Sequence, residues 1–344
     1  MSISLTLFHV KEKKNRMHKL LVIGSNSFSG ASFIDFALEQ GATVLGTSRS
    51  PEPISALLPY KWQAPRDFTF HQFDLNTQLP DIMALIRKVK PNYVINFAAQ
   101  SMVAESWKKP NDWFMTNTVA TINLHDALRQ CDFLTRYVHV STPEVYGSCT
   151  GFVKEDYPFY PSTPYAVSRA AADMSLRTFH AAYQFPVVTT RAANVYGPGQ
   201  QLYRIIPRTI LFILLGRKIQ LHGGGISTRS FIHMKDVSRA TWNIMLSGNN
   251  GDTYHISTHE VISIRHLVEQ ICQKLNVSFD DHVEIAGERL GKDAAYHLDT
   301  TKIRSELDWQ NHISLDQGLD DCITWAHRHF ETLKSQPFDY IHKS

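Results

Sequence analysis

A doubly wound α/β fold with a parallel sheet is predicted by two observations. Short apolar runs alternate with helical segments through the first half of the chain, and the first run ends in a glycine-bearing turn that opens a helix. Lys19 to Ile23 reads as the first strand, Gly24 to Gly30 as the turn and Ala31 to Gln40 as the helix, with Gly41 as its stop. Thr43 to Gly46, Phe68 to Phe73 and Tyr93 to Phe97 follow as strands, the last after a helical stretch from Asp81 to Lys88. Tyr137 to Val140 and Val187 to Thr190 are the fifth and sixth strands, separated by helices at Asp112 to Gln130 and Pro164 to Tyr183. Beyond residue 195 the pattern loosens. Gly197 to Gln200 and Gly223 to Gly225 mark loops, and helical spacing returns at Ile206 to Leu215, Ile264 to Leu275 and Leu315 to His329. The expected organisation is a loose extension over 1–16, with Met17 as an alternative start, and a Rossmann-like domain over 17–195 joined by returning segments of the C-terminal half. A smaller α/β lobe over 196–335 is placed to cover a ligand, because in doubly wound sheets the crevice lies beyond the carboxyl ends of the strands.

Composition narrows the function classes. With 344 residues, 43% of them hydrophobic and 19% charged, the chain can bury a large core. The net charge of +3 is spread along the sequence without a basic run interleaved with aromatics, so no nucleic-acid partner is expected. No stretch approaches the roughly twenty apolar residues that cross a bilayer, so no membrane partner is expected either. Cys131, Cys149, Cys272 and Cys322 lie far apart, indicating neither a disulfide framework nor a metal site. A soluble protein of the cytoplasm fits these features.

The turn spells Gly24-x-x-Ser27-x-x-Gly30, a spacing that brings backbone close to a pyrophosphate seated at a helix N-terminus. Serine stands where a middle glycine is usual. The end of the second strand, Gly46-Thr47-Ser48-Arg49-Ser50, has no acid to accept from a ribose 2′-hydroxyl, and Arg49 tilts the expected cofactor from NAD towards NADP. Asp74, closing the third strand, is a candidate adenine partner or simply a turn former. Tyr165 precedes Arg169 by one helical turn, and a nearby cation favours phenolate, as proton transfer from an alcohol requires. The same spacing also arises as an ordinary surface pair.

Together the motifs resemble the extended short-chain dehydrogenase/reductases that act on nucleotide-activated sugars, and among them the dTDP-glucose and GDP-mannose 4,6-dehydratases. The segments that carry the resemblance are Asn96-Phe97-Ala98-Ala99-Gln100-Ser101, Ser141-Thr142-Pro143-Glu144-Val145-Tyr146-Gly147, Pro164-Tyr165-x-x-Ser168-Arg169, Arg191-x-x-Asn194-x-Tyr196-Gly197-Pro198, Arg229-Ser230-Phe231-Ile232-His233, and Arg289-Leu290-Gly291-x-Asp293. The resemblance implies that Tyr165 takes the proton of the sugar C4 hydroxyl while Thr142 hydrogen-bonds the same oxygen, giving a 4-keto sugar. Glu144 then removes the C5 proton, a step that plain 4-epimerases do not need. It also implies cofactor contacts at Gly24, Ser27, Phe28, Ser29, Gly30, Ser48, Arg49, Asp74, Leu75, Ala98, Ala99, Tyr165 and Arg169. Ser101, Asn194, Arg204, Arg229 and Arg289 would hold a nucleoside-diphosphate sugar, and the helices at 112–130 and 164–183 would pair with a second subunit in a homodimer.

Two residues depart from the pattern. Pro143 occupies the place where the dTDP-glucose enzymes carry an acid, so either Glu144 performs both halves of the elimination or no water is lost. Arg169 replaces a lysine, and a planar fork is not the positional equivalent of an ammonium. An epimerase or another 4-keto-forming enzyme is the alternative that Pro143 favours. A sugar-nucleotide-binding protein with little turnover is the reading that Ser27, Pro143 and Arg169 favour together.

Overall fold

The computed structural model describes residues 18–287 and 297–343. Among them a seven-stranded sheet forms the centre of the molecule, with β1 Lys19–Ile23, β2 Thr43–Ser48, β3 Phe68–Gln72, β4 Tyr93–Asn96, β5 Arg136–Val140, β6 Val187–Ala192 and β7 Thr253–Ile256. Its order is β7-β6-β5-β4-β1-β2-β3, and every neighbouring pair is parallel. A parallel sheet is covered on both faces, which is why β1 reads as a continuous apolar run. Leu20, Leu21 and Val22 are buried there. The sheet order reverses direction between β1 and β4, so the carboxyl ends of these two strands open the crevice in which such folds bind ligands.

Helices pack on both faces: α1 Phe28–Glu39, α2 Leu79–Val89, α3 over 110–128, α4 Pro164–Tyr183, α5 Ile205–Leu214, α6 Met234–Ser247, α7 Ile264–Lys274 and α8 Leu315–Arg328. The run over 110–128 is continuous but changes pitch, with Phe114–Ala120 wound as a π-helix between two α-helical pieces. The predicted strands and helices of the first half appear within a few residues of their expected bounds. Two elements of the C-terminal half also return to the sheet. Strand β7 pairs with β6, and α6 packs against α1. Strand β7 was not legible because Thr253-Tyr254-His255-Ile256 is half polar, although all four residues are buried. His255 Nε2 lies 2.7 Å from the Tyr146 hydroxyl and its Nδ1 lies 3.1 Å from the Asp299 carbonyl.

Helices α5, α7 and α8 enclose a second apolar core that includes Ile206, Ile210, Leu267, Ile271, Leu319 and Trp325. Short strand pairs connect this lobe to the rest, among them Asn194–Tyr196 with Phe231–His233. Buried Asp236 fixes the chain leading into α8, because one carboxylate oxygen accepts both the His312 and Ile313 amides at 3.0 Å. The Trp325 indole donates to the Ala56 carbonyl at 2.9 Å and so ties α8 to the turn after β2.

Among the described residues four histidines are fully buried, and they make the fold sensitive to acid. Burial pushes His125 and His233 down to about 4 and His255 to about 3, and it also lowers His139. An unfolded chain binds a proton at each of these rings below about pH 6.5, whereas the folded chain does so only at lower pH. Stability therefore falls on acidification, by up to about 1.4 kcal/mol per pH unit for each ring still neutral in the fold. Denaturant titrations at successive pH values should show the loss beginning near pH 6.5, well above the carboxylate range. A flat profile between pH 6.5 and 5 would contradict it.

Candidate active site

The end of β1 turns sharply at Gly24, whose φ of +83° lies in the left-handed region that glycine reaches without strain. An added Cβ there would stand 2.6 Å from the Ala98 nitrogen, so the turn can approach β4 only without a side chain. The amides of Gly24 and Ser25 both donate to the Thr47 carbonyl, at 2.7 and 3.1 Å. Ser27 caps α1: its hydroxyl accepts from the Gly30 amide at 3.0 Å and donates to the Gly24 carbonyl at 2.7 Å. The serine in the middle of the motif is thus folded back into the loop. The first-turn amides of Phe28 and Ser29 lie outside the helix ladder, as an anion at a helix N-terminus requires. Phe28 itself is buried in the main core, so only its backbone is available to a ligand. These features fit a dinucleotide pyrophosphate.

Ser48 accepts from the Asn26 amide at 3.0 Å, fastening the loop to the end of β2. Arg49 donates through Nη2 to the Lys343 carbonyl at 2.8 Å. Asp74 closes a turn, since its carboxylate accepts from the Asn76 amide at 2.9 Å and its carbonyl accepts from Gln78 at 2.7 Å. Leu75 is buried in the core beneath α2. The Ala98 amide donates to Asn96 Oδ1 at 3.0 Å, Ala99 is half-buried, and Ser101 is exposed.

Sequence reasoning missed Asn117. In the π-helical turn of α3 its Oδ1 accepts from the Gln100 amide at 2.8 Å, while Nδ2 donates to the Gln100 carbonyl and to Ser168 Oγ, each at 3.0 Å. One fully buried side chain thereby locks the loop after β4 to the helix that carries Tyr165. Single π turns recur at functional sites, but an isolated asparagine in a helical run carries no such signal in the sequence.

Strand β5 delivers Ser141 and Thr142 to a 3₁₀ turn, Pro143–Tyr146, which Thr142 caps by accepting the Glu144 amide at 3.3 Å. Pro143 begins that turn, where a missing N–H costs nothing. Opposite it, Thr163 caps α4 by accepting from Ala166 at 3.1 Å, and Pro164 starts the helix, so Tyr165 sits in its first turn. The buried Tyr165 hydroxyl is hydrogen-bonded to the Thr142 side chain and lies in the fields of Arg169, Glu144 and Arg204.

The balance of those fields corrects the expectation of an acidified phenol. Burial raises the Tyr165 pKa, and the Glu144 carboxylate adds to the rise; Arg169, the Thr142 hydrogen bond and Arg204 oppose it without cancelling it. Arg169 is itself buried and directed at the sheet, where its Nη2 donates to the Val140 carbonyl and lies 3.4 Å from His139 Nε2. Behind it, Asp173 joins Arg191 at 2.7 Å, accepts from Ser141 Oγ at 2.7 Å and lies 3.3 Å from His139. Despite complete burial these partners hold the Asp173 carboxyl below the usual carboxylate range, with Arg191 the strongest of them.

On the second lobe, Arg204 precedes α5 with its guanidinium 5.4 Å from the Tyr203 ring. Asn194 begins the strand paired with Phe231–His233, its amide donating to the Ser230 carbonyl at 3.1 Å, while Arg229 lies in a separate short strand paired with Ile262–Ser263, its Nη1 donating to the Thr228 carbonyl at 2.7 Å. The fold thus brings Thr142, Glu144, Tyr165, Arg169 and Arg204 together. Arg289 lies outside the described residues.

The family described as GDP-mannose 4,6 dehydratase matches residues 21–322. A dTDP-glucose 4,6-dehydratase from Xanthomonas campestris pv. campestris is 29% identical over 325 residues, covering 89% of this chain and 92% of its own. One from Streptomyces niveus is 31% identical over 318 residues, with the same coverage of 89% and 92%. Among solved structures, the dTDP-glucose 4,6-dehydratase DesIV from Streptomyces venezuelae, with NAD bound, superposes with a TM-score of 0.83 at 30% identity over 91% of this chain and 98% of that one. MoeE5 in complex with UDP-glucose and NAD gives a TM-score of 0.81 at 26% identity, over 91% of this chain and 99% of that one. A Gly24 loop shaped for a pyrophosphate, a Tyr165–Thr142 pair beside Glu144, and a match across nearly the whole fold place this chain in the GDP-mannose 4,6-dehydratase family of extended short-chain dehydrogenase/reductases.

Proposed function

We propose that the protein is a sugar-nucleotide 4,6-dehydratase that converts a nucleoside-diphosphate hexose into its 4-keto-6-deoxy product. The observation that carries this reading is the Tyr165 hydroxyl bonded to Thr142 with the Glu144 carboxylate in its field. A dinucleotide held at the Gly24–Gly30 turn would supply a nicotinamide to accept the C4 hydride and later return it to C6. Thr142 orients the sugar C4 oxygen, and Tyr165 removes its proton. The carbonyl formed at C4 acidifies C5, so a carboxylate within hydrogen-bond reach suffices as the base. Glu144 takes the C5 proton. Because Pro143 has no proton to give, Glu144 also protonates the departing C6 hydroxyl, releasing water, and a proton equivalent to the one Tyr165 took returns at C5.

Loss of water from the substrate distinguishes this reading from an epimerase, which would yield an isomer, and from a binding protein, which would yield nothing. Arg204, Asn194 and Arg229 would meet the substrate diphosphate, a role suited to forked guanidinium donors. The lobe over 196–335 would cover the sugar nucleotide above the dinucleotide-binding domain over 17–195.

NAD is the dinucleotide that the bound neighbours favour, while Arg49 at the end of β2 favours NADP; comparing the two dissociation constants decides between them. Met115 and Val119 on α3, with Val167 and Met174 on α4, expose 48%, 41%, 39% and 57% of their surface and support a homodimer built on these helices. Free thiols at all four cysteines support the cytoplasmic setting, and among the described residues no helix is long and apolar enough to cross a membrane.

Two variants separate the steps. Tyr165→Phe should lower kcat by about 10²–10⁴-fold with every productive nucleotide hexose and leave no 4-keto intermediate. Glu144→Gln should still oxidise C4 in a single turnover, seen as a rise in reduced-nicotinamide absorbance, yet release no water by product mass. Full dehydration by Glu144→Gln would remove Glu144 from the mechanism. Since Arg169 opposes the burial that raises the phenol pKa, Arg169→Gln should move the rising limb of the pH–rate profile to higher pH. An unmoved limb would show that the cation does not reach the phenol.

A further inference from the structure

Residues 338–343 follow the last helices and lie beyond the segment matched by the family. They do not trail into solvent. Phe338 packs edge-on against Phe212 of α5, with ring centroids 5.4 Å apart, and its carbonyl accepts from Arg208 at 2.9 Å. Asp339 pairs with Arg208 at 3.0 Å. Tyr340 meets Tyr203 edge-on at 5.4 Å and its hydroxyl reaches Gln100 Oε1 at 3.5 Å. His342 stacks on Trp113, with centroids 5.0 Å apart and planes 10° from parallel, and its Nε2 lies 2.6 Å from Asp112 Oδ2. The Lys343 carbonyl accepts from both Arg49 and Gln100 at 2.8 Å, and its ammonium donates to Ser50 Oγ at 3.2 Å.

These contacts begin on the second lobe and finish on the first. Arg49 and Ser50 follow β2, Gln100 follows β4, and β1 with its glycine turn lies between those strands. A carbonyl shared by Arg49 and Gln100 therefore stands across the mouth of the loop that fits a pyrophosphate.

We propose that the C-terminal strap, Phe338 to Lys343, is part of the cofactor site and closes over the bound dinucleotide to retain it. This inference rests on the dehydratase reading. In that reaction the hydride taken from the sugar is returned to it, so the cofactor is unchanged at the end of each cycle and need not leave. Only the sugar nucleotide must exchange. A strap that occupied the pyrophosphate site would imitate its charge. Here the strap instead contributes the Lys343 ammonium, which donates to Ser50 Oγ, while its Asp339 is engaged by Arg208.

The test is the release rate of NADH from the full chain and from a chain ended after residue 336, followed by fluorescence as excess NAD displaces it. Removing the strap should speed release about tenfold or more, and His342→Ala, which loses the Trp113 stack and the Asp112 bond while keeping the chain length, should speed it in the same direction. Circular dichroism and thermal melts establish that both variants are folded; if the truncated chain is not, His342→Ala decides alone. Unchanged release, or slower release with tighter binding as expected of a plug, would overturn the proposal. If the full chain binds neither NADH nor NADPH, the dehydratase reading fails before the strap is in question.

Discussion

The site depends on a charge buried where water cannot reach it. Asp173 is on α4, eight residues after Tyr165, and its carboxylate joins Arg191 of β6, Ser141 at the end of β5 and the neighbourhood of His139. Breaking a buried pair by removing one partner costs about 3–5 kcal/mol, because the other charge is left without compensation. The helix bearing Tyr165 is therefore fixed against β5, which delivers Thr142 and Glu144, and against β6, which carries Arg191. Arg169 occupies the space between this network and the phenol, with its guanidinium spent partly on the Val140 carbonyl. A compact ammonium would present its charge differently, and this is the physical content of the substitution of arginine for the family's lysine.

The same economy of support appears on the cofactor side. Asn117 uses three hydrogen bonds to hold the loop after β4 against α4, and Ser27 uses its hydroxyl twice to close the glycine turn. Neither side chain has to touch a ligand to matter. Each fixes backbone whose amides and carbonyls shape the crevice, and positioning of this kind allows ordinary functional groups to act as efficient catalysts.

Much of this was legible in the sequence because apolar alternation and turn chemistry act locally. The strands from Lys19 to Ala192 and the helix from Pro164 to Tyr183 follow from spacing, and the proposed catalytic group, Thr142, Glu144 and Tyr165, comes from motifs on two adjoining elements. What was not legible depends on distant partners. Thr253 to Ile256 reads as too polar for a buried strand until Tyr146 and Asp299 are seen to satisfy His255. The Tyr165 pKa reads as lowered from the sequence, since a cation is visible there and burial is not. The strap has no periodicity at all, and its place is set one contact at a time by Phe212, Trp113, Gln100 and Arg49.

The account stands on one transfer of atoms, from C4 of a sugar to C6 of the same sugar, with Glu144 removing water between the two. The most direct measurement supplies dTDP-, GDP- and UDP-hexoses carrying deuterium at C4 and locates the label by NMR and mass. The account predicts, for the productive substrate, a product lighter by one water with the deuterium at C6. A product of unchanged composition with the label still at C4 would contradict it.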